Sequence, residues 1–221
     1  MRIHFVIFFL LTLFPKSNKM KPLLTLIFAI IPFLTYSQNQ INILDTKGYN
    51  FNDILGQMVD CNISVKYDQK NKETYIYIAD VFTTTGYTLS AENVDSMNVM
   101  FDKYFKWEEK AIKMSVKLEK TIKDLSLKGW FKYGNGDWSN SCVNNCLFRG
   151  LFFSQSESNH QLVFQFGKIT HCGNKYLNHK PEGVYLSKEM VSELRKAFSS
   201  DFINNTLEKE KSKKSIEDEF K

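Results

Sequence analysis

From Ser90 to Leu125 the apolar residues Met97, Phe101, Tyr104, Ala111, Leu118, Ile122 and Leu125 recur at spacings of three, four and seven. That is one apolar stripe on an α-helix, and it limits what can flank it. Ser90 stands where a cap is needed, because its hydroxyl can accept an N–H group that the first turn leaves without a partner. Glu92 adds negative charge at the positive helix end. Lys123 and Lys128 stand near the other end, and Gly129 follows. The spacing predicts a helix over Ser90 to Leu125, roughly 50 Å long at about 1.5 Å per residue. Glu108 and Ser115 interrupt the stripe, which argues against a dry coiled-coil seam. Glu108 is a candidate buried carboxylate, though a place at the stripe's edge would let it reach water.

A similar entry recurs downstream. Gly86 to Phe101 can be laid on Gly183 to Phe198, with Gly, Leu, Ser, Glu, Val and Phe coinciding. A shared rule for a strand feeding a capped helix explains the match. A duplicated strand–helix unit is the alternative. The second helix starts at Ser187, with Val191, Leu194, Phe198 and Phe202 as its stripe.

Elsewhere the period is two. Asn39 to Gly56 is weakly patterned, with room for a short strand at Ile41 to Leu44. Ile63, Val65 and Tyr67 alternate with polar residues, Asp68 to Glu73 reads as a hairpin loop, and Tyr75 to Phe82 is apolar on both faces, as in a central strand. Thr83 to Gly86 reads as a turn. Strands are expected at Leu127 to Tyr133, Leu147 to Phe153 (with a bulge at Gly150) and Gln161 to Ile169. Strands joined directly by short loops favour antiparallel pairing. The expectation is an α+β fold: an antiparallel sheet of about five or six strands, with one long central helix and a C-terminal helix packed on one face. Residues 208–221 form a charged tail, a solvated helix extension or disorder.

Residues 1–37 carry Arg2, Lys16, Lys19 and Lys21 and no acidic residue. The apolar run from Pro22 to Tyr36 follows two lysines and ends in small or polar residues, the build of a secretory signal. Cleavage is expected after Ser37, and Met20 is a possible start. An uncleaved membrane anchor is the alternative, and would be the chain's one route to a membrane. Of 29 Lys+Arg, four fall in this segment, leaving 25 against 24 Asp+Glu. With that balance a nucleic-acid partner is not expected, since phosphate binding needs a concentrated basic surface. Residues 38–207 are long enough for one domain with a substantial core.

Four cysteines in an exported chain suggest disulfides among Cys61, Cys142, Cys146 and Cys172. Pairing Cys142 with Cys146 needs a turn, because the extended chain would hold them roughly 13 Å apart. Pairing either with Cys172 would tie this loop to the next strands. The spacing of Cys142 and Cys146 also fits half a zinc knuckle, with His171 and Cys172 completing the set. Adjacent strand residues point to opposite faces, so that set needs a turn at His171, or help from His160 or His179. Trp130, Tyr133, Asp137 and Trp138 gather aromatic rings beside glycine, asparagine and aspartate, a combination able to stack on a sugar or grip a peptide; packing is the plainer role. One carboxylate, Asp137, is too few for a calcium site.

Familiar catalytic and cofactor-binding signatures are absent from the sequence, and no cofactor is expected. The leading expectation is an exported, non-enzymatic accessory or binding protein for a protein, peptide or glycan. The alternative is a small exported hydrolase using cysteine and histidine, or a metal, around residues 142–179. Convergence of Asp137, His160, His171 and His179 would favour the enzyme. An exposed patch of Trp130, Tyr133 and Trp138 would favour binding.

Overall fold

The structure, a computed structural model, describes residues 40–52, 56–140 and 145–220. The export segment, its cleavage point, Met20 and Cys142 lie outside the described residues. The fold is α+β, built on a large antiparallel sheet. It begins with four successive strands: β1 (Gln40–Asn52), β2 (Gln57–Asp68), β3 (Glu73–Ala79) and β4 (Thr83–Leu89).

The tight connections are built by aspartates. The Asp68 carboxylate accepts the backbone N–H groups of Lys70 (2.8 Å) and Asn71 (3.1 Å), which folds the chain back between β2 and β3. Asp80 does the same for Phe82 (2.8 Å) and Thr83 (2.6 Å) before β4. The turn therefore lies at residues 80–82, and Thr83 to Gly86 is strand.

β1 is 13 residues long and pairs with β2 along its length, in place of the short strand expected at Ile41 to Leu44. A register shift between Asn42 and Leu44 breaks its alternation, and later buried positions are Gly48 and Asn50. Neither announces itself as apolar. Gly48 is required by packing, since a Cβ there would stand 2.7 Å from Val184 Cγ1.

Helix α1 runs over Ala91–Met114, capped by Ser90, whose hydroxyl accepts the Asn93 N–H. It ends at Met114, eleven residues before Leu125, and is capped by Ser115, which takes the left-handed conformation (φ 48°). Strand β5 (Glu119–Tyr133) follows. A register shift in β5 between Thr121 and Lys123 lets Ile122 and Leu125 both turn inward. A bulge thus reproduced helical spacing inside a strand, which is why the periodicity overran.

The remaining elements are β6 (Ser139–Asn140), β7 (Cys146–Ser154), β8 (His160–Phe166), β9 (Ile169–Thr170), β10 (Asn178–His179), β11 (Val184–Leu186), α2 (Lys188–Ala197) and α3 (Ser200–Glu219). The expected second helix is two helices. Ser199 stops the first and caps the next by accepting the Phe202 N–H. The charged tail continues α3 as an exposed helix to Glu219.

Among the described residues the main sheet has nine strands, more than the five or six expected, in the order β4-β3-β2-β1-β11-β8-β7-β5-β6. β4 also pairs with β5, from Thr83↔Tyr133 to Thr88↔Lys128, so the sheet closes on itself. β9 and β10 form a separate two-stranded ribbon.

The inner face is filled by rings. Phe148 lies 4.8 Å from Phe164, 5.2 Å from Phe166 and 5.4 Å from Tyr87, centroid to centroid. Helix α1 packs on this inner face at one end, where Tyr104 sits 5.9 Å from Phe152 and its hydroxyl donates to the His160 carbonyl (2.9 Å). Gly150 admits it: a Cβ there would run into the Met100 side chain. Phe198, which ends α2, lies 6.0 Å from Phe101 of α1. Glu108 is buried rather than at a wet edge, and Lys188 Nζ reaches it at 2.8 Å. At the other end of the β5–β7 ladder, the β9–β10 ribbon places buried Ile169 near Gly129 and the His179 ring 5.4 Å from Phe131.

Candidate functional site

The outer face of β2 to β6 carries the candidate site. Strand alternation sends Tyr75 and Tyr77 of β3 and Trp130 of β5 outward, away from the filled interior. Cross-strand register then aligns them. One row reads Ser64, Tyr77, Gly86, Trp130 and Asn140 across β2 to β6, and the next reads Lys66, Tyr75, Thr88 and Lys128. Gly86 is the gap in the first row. Its missing side chain lets the indole of Trp130 lie on the β4 backbone, where a Cβ would meet the ring at 2.6 Å. The turn at Gly134 (φ 50°) and Gly136 leads the chain back to Trp138, on the same side.

The result is a four-ring shelf. Tyr75 and Tyr77 stack at 6.3 Å with their planes 20° apart. Trp130 stands edge-on to both, at 5.8 and 6.1 Å. Trp138 packs 5.9 Å from Tyr77 and 6.4 Å from Trp130 and is 41% exposed. Beside the shelf runs an open groove of ≈ 500 Å³, where Tyr75 and Trp130 meet Glu73, Thr88, Ser90, Asn93, Ser126 and Lys128. The Tyr75 hydroxyl donates to Glu73 (2.8 Å), and burial with this neighbouring carboxylate raises the Tyr75 pKa well above its ordinary value.

The four aromatic-stretch candidates are thus divided. Trp130 and Trp138 share the shelf. Tyr133 shares the alternation of Phe131 instead; its ring packs on Phe131 (5.4 Å) and His179 (5.8 Å), and its hydroxyl reaches the Asn178 carbonyl. Asp137 is an exposed turn residue. Tyr75 and Tyr77 join the candidate site without being marked as such by the sequence. Their alternation was visible, but only the pairing of β3 to β5 through β4 shows that they meet Trp130.

The cysteines divide too. Cys61 and Cys146 are buried thiols outside any disulfide, which removes both from the disulfide candidates. Each is an inward strand position: the Sγ atoms of Cys61 and Cys146 lie near Gly48 and Gly129, respectively. Burial pushes the Cys61 thiol up to about 11, so it stays protonated and inert. Cys172 is disulfide-bonded, which denies a zinc ion its thiolate. His171 Nδ1 accepts the Gly173 N–H (3.0 Å). Among the described residues no three His, Cys, Asp or Glu side chains gather in a way that could hold a metal ion.

His160 is buried, stacked on Phe152 (5.3 Å), with Nδ1 2.8 Å from Ser154 Oγ. That hydroxyl already accepts the Leu118 N–H (2.8 Å), so the pair links α1's exit loop to β7 and β8. His179 is held among Phe131 and Tyr133, and burial lowers its pKa against the opposing pull of Asp80. The folded chain therefore resists a proton that the unfolded chain accepts near pH 6.5. Stability is full above about pH 6.5 and falls as pH drops toward the lower folded value. His179→Phe should flatten that part of a melting-temperature profile against pH; a profile of unchanged slope would mean that His179 is not its source.

No family model matches the chain, and no curated protein or solved structure matches it. No helix among the described residues is long and apolar enough to cross a membrane.

Proposed function

We propose that this chain is an exported, non-enzymatic binding protein that takes its ligand on the four-ring shelf and the groove beside it. The observation that carries this is the meeting of Tyr75, Tyr77, Trp130 and Trp138 on one outer face, next to hydroxyl and amide groups of Thr88, Ser90, Asn93 and Ser126. Rings offer large contact area at low entropic cost, and the polar groups set orientation. The basic, apolar segment before Ser37 supports export, and a disulfide at Cys172 suits an oxidising compartment. With Cys61 and Cys146 held as thiols, we assign that bond to Cys142.

Secretion followed by intact-mass measurement and a soluble-ligand screen tests this. The expected protein begins at Gln38, yields a Cys142–Cys172 peptide pair without reductant, and binds a peptide or glycan in a way that Trp138→Ala weakens by roughly tenfold or more, the loss of a buried aromatic anchor. Binding indifferent to Trp138→Ala and Trp130→Ala would remove the shelf from the function.

A further inference from the structure

We infer that the ligand of the shelf is an acidic saccharide, a polymer of uronate-type sugars. This rests on the binding function proposed above and adds the ligand's charge and chemistry. Three lysines frame the rings. Lys66 Nζ lies 5.4 Å from the centroid of Tyr77, and Lys132 Nζ lies 5.0 Å from that of Trp138. Lys128 lines the groove beside Trp130. Their placement is fixed by register: Lys66 and Lys128 bracket Tyr75 and Thr88 in one row, and Lys132 lies opposite Thr84 in the row on the far side of Trp130.

None of the three makes an ion pair with a described carboxylate. Other cations among the described residues do form ion pairs, as in Lys47–Asp60 (2.8 Å) and Arg149–Asp124 (2.7 Å). A lysine resting over a ring is held weakly at an exposed site, so it can swing to an anion that stacks on or beside that ring. The carboxylate then gains a charge-assisted hydrogen bond. Glu73 is the one acidic residue lining the groove, and it is engaged by the Tyr75 hydroxyl, so the anion's place is toward Lys132 and Lys66.

A saccharide fits better than the other anion that stacks, a single-stranded nucleic acid. The groove offers hydroxyls and an amide from Thr88, Ser90, Asn93 and Ser126, which match sugar hydroxyls. Three cations do not make the extended basic track that a phosphate backbone requires.

The test measures binding of the full chain to polygalacturonate, to its fully methyl-esterified form and to oligodeoxythymidylate at fixed salt. The expected result is binding to polygalacturonate, loss of affinity on methyl esterification, and roughly three- to tenfold weakening for each of Lys66→Gln and Lys132→Gln, the scale of exposed charge pairs in a partly desolvated site. Equal binding of the esterified polymer, unaffected by the lysine changes but lost in Trp138→Ala, would overturn the acidic ligand and leave the shelf in place. Preference for oligodeoxythymidylate would replace the saccharide with a nucleic acid. No binding of any of the three that depends on Trp138 would overturn the acidic saccharide, and the soluble-ligand screen with Trp138→Ala then decides the shelf.

Discussion

Phe148→Ala is expected to lower the free energy of unfolding by about 3–5 kcal/mol, the usual cost of removing a large buried ring. Phe148 has no exposed surface and touches Tyr87, Phe164 and Phe166, so its loss leaves a cavity that three different strands, β4, β7 and β8, would have to close. A continuous closed sheet cannot collapse around that gap as a single helix could by shifting. Urea titration followed by circular dichroism gives the value, with an unchanged denaturant slope if the unfolded state is unaltered. Phe51→Ala serves as the control. Phe51 is 42% exposed, and its removal should change stability by no more than about 0.5 kcal/mol. Equal effects at the two positions would mean that Phe148 is not at the centre of the core.

Gly150→Ala is expected to cost about 1–3 kcal/mol, although one methyl group is the whole change. The added Cβ falls on the Met100 side chain, so either the thioether rotates away or α1 lifts from the inner face. In a Met100→Ala background the same substitution should cost much less, because the obstructing atoms are gone. The coupling in that double-mutant cycle isolates the contact. If the two changes simply add, the close approach of α1 to β7 at this point is wrong.

Local rules carried well from sequence to structure. Ser90 and Ser187 cap helices as their hydroxyls and the following apolar stripes required. Asp68 closes the hairpin expected at residues 68–73. The failures share a cause, which is that bulges change the apparent period. One shift in β5 gave Ile122 and Leu125 helical spacing, and another in β1 hid a 13-residue strand. Closure of the sheet was out of reach for a different reason. It depends on β4 meeting β5 across the 24-residue helix between them, a contact no local pattern encodes. The shelf was half legible for the same reason. Trp130 and Trp138 stand close in sequence, while Tyr75 and Tyr77 join them only by cross-strand pairing.

The β1–β11 seam governs when this protein can finish folding. Tyr49 pairs with Tyr185, 136 positions later, and among the described residues the ring has no other link between β1 and β8. Contacts this remote in sequence form slowly, since a long loop must be ordered before they reward it. Until Val184–Leu186 is available, β1 and β8 remain open edges. A chain emerging from its N-terminus can build the β1–β4 meander early but cannot seal the ring until almost all of it has been delivered. Such an order keeps the polypeptide threadable late into synthesis, and makes truncation before Val184 a route to edge-to-edge aggregation rather than to a smaller stable fold.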